Sequence, residues 1–243
     1  MALVSLIGAE LAFGLHPLLD RADLTVQDGE RIGLIGRNGT GKSSLLQAIA
    51  GNLALDEGDL KRRDGLRVAL VEQEPVLPPA SSLRESLALR GGFDRLRDER
   101  ERWRAEVRLL EMLHRFGLDE GADPGSASGG ERKRAALALA FATEPDLVLL
   151  DEPTNHLDID GITRVEDLLL KGPSAIVITH DRAFLDRVAT RIVELDRGLL
   201  RSFPGNFAAY ETRKASELAA ETVANRKFDQ FWAQEEAWIR KGV

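Results

Sequence analysis

The chain contains no cysteine, which excludes disulfide bonds and thiolate metal sites and fits a cytoplasmic protein. It has no apolar run approaching the ~20 residues that span a bilayer. Its opening, Met1-Ala2-Leu3-Val4-Ser5, lacks the basic flank and apolar segment of a secretory signal. Both absences count against a membrane-embedded or exported protein. Surplus positive charge is missing too: 33 Lys and Arg against 40 Asp and Glu leave a net charge of −7. That argues against indiscriminate nucleic-acid binding, while a local basic patch stays open. There are no internal repeats or low-complexity tracts. What remains, 243 residues with 43% hydrophobic and 30% charged side chains, is the composition of a soluble globular chain of one large or two small domains.

Continuous apolar strands alternate with helical patterns, which predicts a parallel sheet covered on both faces. Core strands are expected at Arg31–Ile35, Arg67–Glu72, Leu147–Leu150 and Ala175–Thr179. Arg191–Leu195 and Leu199–Ser202 read as a hairpin around Arg197-Gly198. Leu3–Phe13 and Leu18–Val26 read as antiparallel strands joined by Gly14-Leu15-His16-Pro17. Between Pro75 and Phe141 the pattern turns helical, with a break at Asp123-Pro124-Gly125-Ser126, so residues 76–141 are expected to form an inserted helical subdomain. From Tyr210 to Gly242 there is neither glycine nor proline in between, and charges alternate in sign, which predicts a long exposed helix.

One stretch stands out. Residues 36–43 of Gly36-Arg37-Asn38-Gly39-Thr40-Gly41-Lys42-Ser43-Ser44 fit the phosphate-cradling pattern G-x-x-x-x-G-K-[ST]. A buried strand precedes it and a helix follows, as this chemistry requires. Gly36, Gly39 and Gly41 let successive backbone N–H groups turn inward on phosphates at a helix N-terminus. Lys42 can reach the β- and γ-phosphates, and the Ser43 hydroxyl can ligate Mg²⁺. The loop alone says only that a nucleotide phosphate binds. A second signal is Leu147-Val148-Leu149-Leu150 followed by Asp151 and Glu152, a central strand whose end delivers two carboxylates beside the phosphate loop. Asp151 suits the Mg²⁺ shell and Glu152 suits polarising the attacking water. The third is Ala127-Ser128-Gly129-Gly130-Glu131 before a helix, another anion-binding nest.

In this order and spacing the motifs resemble those of the ATP-binding cassette (ABC) ATPases, over essentially Leu3 to Pro204. The resemblance implies an α/β P-loop fold with a parallel core sheet, an antiparallel β subdomain and an inserted helical subdomain, and ATP hydrolysis with ATP and Mg²⁺. It makes Ser128, Gly129 and Gly130 the signature motif. Ala127 stands where the family usually has leucine, a change expected to soften packing. Gln73 matches the switch glutamine that meets Mg²⁺ and water, Asp158 the D-loop that communicates across the dimer, and His180 the histidine that contacts the γ-phosphate. Phe13 is the candidate for stacking on adenine, with core packing as the rival reading. His16 and His114 read as surface residues. In this family each ATP is sandwiched between two cassettes. Lys42, Ser43, Gln73, Asp151, Glu152 and His180 are therefore expected to act in cis, and the signature to serve the partner's ATP. A lone cassette is expected to bind nucleotide and hydrolyse it poorly.

The run Asp151–Asp158, with its Asn155-His156, is similar to the ABC-F branch, as is the exit Pro204-Gly205-Asn206. The tail at 233–242 is closest to its Uup-type members. That resemblance implies a soluble protein with two cassettes per chain that acts on the ribosome and its RNA. Residues 1–209 are then the first cassette and 210–243 the start of the interdomain linker, a fragment whose partner is the missing second cassette or another copy. An ATPase acting on branched DNA is the alternative; the ATP-binding subunit of a membrane transporter is disfavoured by Asn155-His156 and the exit sequence. The distance from Gln73 to Ser128 leaves no room for long coiled coils and little for an extra arm. The run Arg95–Arg104 interleaves both charges, with Asp98–Arg102 as an i,i+4 pair, and reads as a solvated face rather than an RNA contact. Phe228, Phe231, Trp232 and Trp238 read as packing against the rest of the linker in preference to stacking on RNA.

Overall fold

The computed structural model describes residues 1–14 and 16–217. Strands β1 (Ala2–Phe13) and β2 (His16–Gln27) pair antiparallel, closing at Phe13↔His16. Strand β3 (Arg31–Ile35) leaves for a second sheet and runs through the phosphate loop into α1 (Lys42–Ala50). The chain then returns as β4 (Glu57–Arg62) on the free edge of β1, giving the order β2-β1-β4. The sequence pattern does not predict β4. At a sheet edge only Leu60 is half-buried, so Glu-Gly-Asp-Leu-Lys-Arg carries no apolar alternation. Gly58 makes the pairing possible: its φ is +90°, and a Cβ there would stand 2.4 Å from the Gly8 carbonyl oxygen.

The second sheet has the order β5-β6-β7-β3-β8-β9, built from β5 (Val68–Val71), β6 (Leu147–Asp151), β7 (Ser174–Ile178), β8 (Arg191–Asp196) and β9 (Leu199–Pro204). All neighbours are parallel except the β8–β9 hairpin. Strand β5 is shorter than Arg67–Glu72 because the Arg67 backbone is drawn sideways. Its N–H donates to the Asp146 carboxylate at 2.9 Å, and its carbonyl accepts from the Asp146 N–H at 2.9 Å. The unbroken apolar run of β6 has a direct cause. Leu147 and Leu149 face one core with α1 and the antiparallel sheet, while Val148 and Leu150 face a second core with the helices of the other side.

The expected helical insert begins at α2 (Leu83–Arg90), capped by Ser82, and continues through α3 (Glu99–Arg115) to α4 (Gly129–Ala142). The break at Asp123–Ser126 is a 3-10 turn. Helix α3 buries Ala105, Leu109 and Leu113 at four-residue spacing and turns its charges to water, with Trp103 also exposed. Its first turn differs from the expected pairing. Asp98 caps the Arg100 N–H at 2.8 Å, and the Arg102 guanidinium donates instead to the carbonyls of Asp94 and Leu96. Helices α5 (Ile159–Lys171) and α6 (Arg182–Val188) cover the same side as α4.

Residues 207–217 are helical, starting before Tyr210. The expectation of an exposed helix fails at its root. Tyr210 is buried against Phe203 and Phe207, its hydroxyl donates to Glu194 at 3.1 Å, and Lys214 pairs with Glu194 at 2.7 Å. Arg182 of α6 pairs with Glu211 at 2.9 Å and lies over the Phe207 ring. Phe228, Phe231, Trp232 and Trp238 lie outside the described residues. Among the described residues no helix is long and apolar enough to cross a membrane.

Leu149 is fully buried, so Leu149→Ala is expected to lower the unfolding free energy in urea by ~2–5 kcal/mol. Val76, 74% exposed, is expected to tolerate alanine within ~0.5 kcal/mol. Equal losses at both positions would contradict this placement of the core.

Candidate functional site

The four parallel strands β5, β6, β7 and β3 all end on one edge of the sheet, and each delivers a different group there. Strand β3 delivers the phosphate loop. Its glycines are structurally required: Gly36, Gly39 and Gly41 have φ of +155°, +79° and +98°, and a Cβ on Gly36 would stand 2.4 Å from the Leu195 carbonyl oxygen. Helix α1 starts directly after Gly41 with no side chain on its first N–H groups and no acid in its first turn. Each of α2 to α6 is capped by a side chain, from Ser82, Asp98, Ser128, Asp158 and Asp181. Only α1 of the six leaves its donors and positive end free for an anion. Lys42 folds back over the loop, donating to the carbonyls of Gly36 and Arg37 at 2.9 and 2.8 Å. Burial lowers its pKa, opposed by Glu152 and Asp151.

Strand β6 delivers Asp151 and Glu152, each only 7% exposed. Glu152 takes the left-handed φ of +47°, and its N–H donates to the Ile178 carbonyl at 2.8 Å. Strand β7 delivers His180, whose Nε2 lies 3.5 Å from a Glu152 carboxylate oxygen. Behind β7, Thr179 is tied to Thr154 and to the Asp181 N–H, both at 3.1 Å, which fixes the turn that carries the histidine.

These groups share a cavity of about 660 Å³. Of the expected residues, Asn38, Gly39, Gly41, Lys42, Ser43, Ser44, Gln73, Asp151, Glu152 and His180 line it, with Phe13 at its rim. Phe13 is 81% exposed, which rules out core packing for it. Gln73 lies two residues beyond the end of β5. Gly36 and Thr40 do not line the cavity; the Thr40 hydroxyl donates to the Arg37 carbonyl at 2.9 Å and shapes the loop from within. The sequence reading missed four wall residues, His16, Leu18, Asn155 and Ile178. His16 is exposed as expected, but the β1–β2 register sets it directly opposite Phe13. A second cavity of about 710 Å³ shares Lys42 and His180 and is walled on its far side by Phe207, Tyr210 and Lys214.

Ser128, Gly129, Gly130 and Asp158 are not brought to this cavity. Ser128 caps α4 in a reciprocal box: the Glu131 N–H donates to its Oγ at 3.2 Å, and its own N–H donates to the Glu131 carboxylate at 2.8 Å. The Ser128 hydroxyl also donates to that carboxylate, which holds Glu131 below its ordinary pKa. Asp158 caps α5 through the Gly161 N–H at 2.8 Å. Gly130 packs on the segment before Asp158, where a Cβ would stand 2.9 Å from the His156 carbonyl oxygen.

The donors fit Mg²⁺ only in company. Ser43, Gln73 and Asp151 offer a hydroxyl, an amide and one carboxylate, all hard oxygens. No group of three or more His, Cys, Asp or Glu among the described residues can hold a metal by itself. A metal here needs oxygens from the ligand, as Mg²⁺ with nucleotide phosphates does. The capping box yields its own expectation. Ser128→Ala removes its side-chain half and should cost ~1 kcal/mol in urea unfolding without altering the cavity around Lys42.

The comparisons agree with this geometry. Residues 19–155 match the ABC transporter family. The chain is 39% identical to the ATP-binding protein Uup of Haemophilus influenzae, over 100% of this chain and 42% of that protein. It is 38% identical to Uup of Escherichia coli, over 100% and 43%. With the energy-dependent translational throttle protein EttA of Mycobacterium tuberculosis it shares 33% identity, over 96% and 47%. The chain thus spans under half the length of these relatives. Among solved structures, an ATP-binding subunit of an ABC transporter superimposes with a TM-score of 0.74 at 26% identity, covering 83% of this chain and 90% of that one. A dimeric ATP-binding cassette caught after hydrolysis with ADP and phosphate gives 0.70 at 26% identity, covering 83% and 98%. With the phosphate loop, the paired carboxylates and the histidine on one sheet edge, the chain belongs to the ABC transporter family of ATP-binding cassettes, in its ABC-F branch alongside the Uup proteins.

Proposed function

We propose that this chain hydrolyses ATP in a composite site completed by the signature of a second cassette, and that its ATP-closed state engages the ribosome. One observation carries the reading: the cis-acting groups converge in one cavity while Ser128, Gly129 and Gly130 lie outside it. Dimeric relatives of this fold and the translational relative support it.

In the mechanism, Lys42 exchanges the carbonyls of Gly36 and Arg37 for β- and γ-phosphate oxygens, and the uncapped α1 amides receive the rest. Ser43, Gln73 and Asp151 would hold Mg²⁺ together with the phosphates, where it would neutralise charge on the phosphate oxygens. The Glu152 carboxylate accepts a hydrogen bond from the attacking water and orients it in line with the bond to the leaving β-phosphate oxygen. His180, beside Glu152, contacts the γ-phosphate. Phe13 stacks on adenine from the rim. Signature N–H groups of a second cassette complete the clamp on the transition-state charge. Residues 1–209 form the cassette, and 210–243 begin an interdomain linker. The protein works in the cytoplasm.

Phe13→Ala is expected to weaken ATP binding by ~1–3 kcal/mol, the worth of one stacked base, and to leave inorganic triphosphate binding unchanged. Lys42→Ala should weaken both at least ~10-fold, since it removes charge-assisted hydrogen bonds of ~1.5–3 kcal/mol. Isothermal titration reads the difference. Glu152→Gln protein with ATP should co-sediment with ribosomes and release when ATP is withdrawn. Co-sedimentation indifferent to ATP, or ATP-dependent binding to branched DNA alone, would contradict the ribosomal part of the reading.

A further inference from the structure

Two lysines lie buried among the described residues. Lys42 serves the phosphate loop. The other, Lys133 on α4, is 1% exposed and has no part in the mechanism above. Burial pushes its pKa down to about 8, against the opposing pull of Asp151 and Glu152. A charge-bearing side chain is buried at such cost only where it is hydrogen-bonded or paired.

Its partners define its role. The Lys133 Nζ donates to the Asp151 carbonyl at 2.9 Å and to the Glu72 carbonyl at 2.8 Å. Each acceptor immediately precedes a residue that lines the cavity, Glu152 in one case and Gln73 in the other. The strands are neighbours, with Val71 opposite Leu150, so one ammonium spans both of their ends. Glu152 also sits in the left-handed region at φ +47°, which a side-chain-bearing residue keeps only when its surroundings over-determine it. The peptide between Asp151 and Glu152 is pinned at both poles: Lys133 holds its carbonyl, and Ile178 takes its N–H at 2.8 Å.

We infer that Lys133 is a positioning residue that locks the Asp151–Glu152 peptide and the Glu72–Gln73 peptide, and so aims Glu152 and Gln73 at the γ-phosphate and its water. The inference rests on the proposed role of Glu152. Lys133 does not line the cavity, and its hydrogen bonds go to backbone carbonyls. It sits five residues after Ser128 on the same helix, so the brace also ties the start of the signature helix to the ends of β5 and β6.

The test compares wild type, Lys133→Met and Lys133→Arg in the 243-residue chain, by steady-state ATP turnover, affinity for a fluorescent ATP analogue and deuterium exchange of the 151–155 amides. Lys133→Met is expected to bind the analogue within about threefold of wild type, since Lys42 and α1 are untouched. Its kcat should fall about 10–100-fold, as a small misplacement of catalytic groups does, and exchange at 151–155 should quicken. Lys133→Arg keeps the donors and should restore kcat to within about threefold. Wild-type kcat in Lys133→Met, or affinity lost in step with turnover, overturns the inference. So does a folded Lys133→Arg whose kcat lies about 10-fold or more below wild type; this arm decides the matter if Lys133→Met does not fold. Where the wild-type chain binds ATP without turnover, as a cassette lacking its second half does, exchange at 151–155 decides: quicker exchange in Lys133→Met supports the brace and unchanged exchange overturns it.

Discussion

The hydrogen-bonded register of four adjacent parallel strands, β5, β6, β7 and β3, governs everything else in this molecule. Val71 opposite Leu150, Asp151 opposite Ile178 and Gly33 opposite Val177 set where each strand stops. Since all four stop on one edge, Gln73, the Asp151–Glu152 pair, His180 and the phosphate loop arrive together without any one element reaching across the fold. Sites at the carboxyl ends of parallel strands arise from this geometry. The two apolar cores, one on each face of the sheet, hold the register in place. A slip of one residue in β6 would exchange Leu149 for Leu150 between the cores and carry Glu152 out of the cavity.

Much of this was legible in the chain itself, and the exceptions have causes. The phosphate loop, β6 with its carboxylates and β7 with its histidine all lie where short-range pattern and fixed spacing agree. Strand β4 escaped because an edge strand with one half-buried residue leaves no alternation to read. Leu18 and Asn155 escaped as cavity walls because their contribution comes from packing between distant segments. His16 escaped for a similar reason: nothing local marks it, and only the hairpin register sets it beside Phe13. Lys133 is the middle of three consecutive basic residues, Arg132-Lys133-Arg134; its burial beneath two strand ends cannot be seen from neighbours along the chain. The tail pattern suggested exposure because Tyr210 is the sole apolar anchor in an otherwise charged start, yet the hairpin β8–β9 supplies Glu194 and Phe203 to receive it.

That docking links two parts of the fold. Helix α6 starts immediately after the His180 turn, and its Arg182 holds Glu211 and Phe207 at the base of the terminal helix. Glu194 of β8 holds Lys214 and Tyr210 on the neighbouring side. All six of these residues wall the cavity behind Lys42 and His180. His180 and the helix at 207–217 are thus joined through a short, contiguous set of contacts. The signature of Ser128, Gly129 and Gly130, in contrast, lines neither cavity. Its capping box is complete within one chain, and its glycine N–H groups have no anion to meet in the same cassette.

The central claim is that one cassette holds half of two sites. The most direct measurement is the solution mass of the Glu152→Gln protein with and without ATP and Mg²⁺. The account predicts that ATP converts monomer to dimer in the 243-residue chain, or in the presence of a second cassette when this one cannot supply both halves. A protein that remains monomeric with ATP bound in every combination, and that hydrolyses ATP as fast as the unmutated chain, would contradict both the composite site and the role assigned to Glu152.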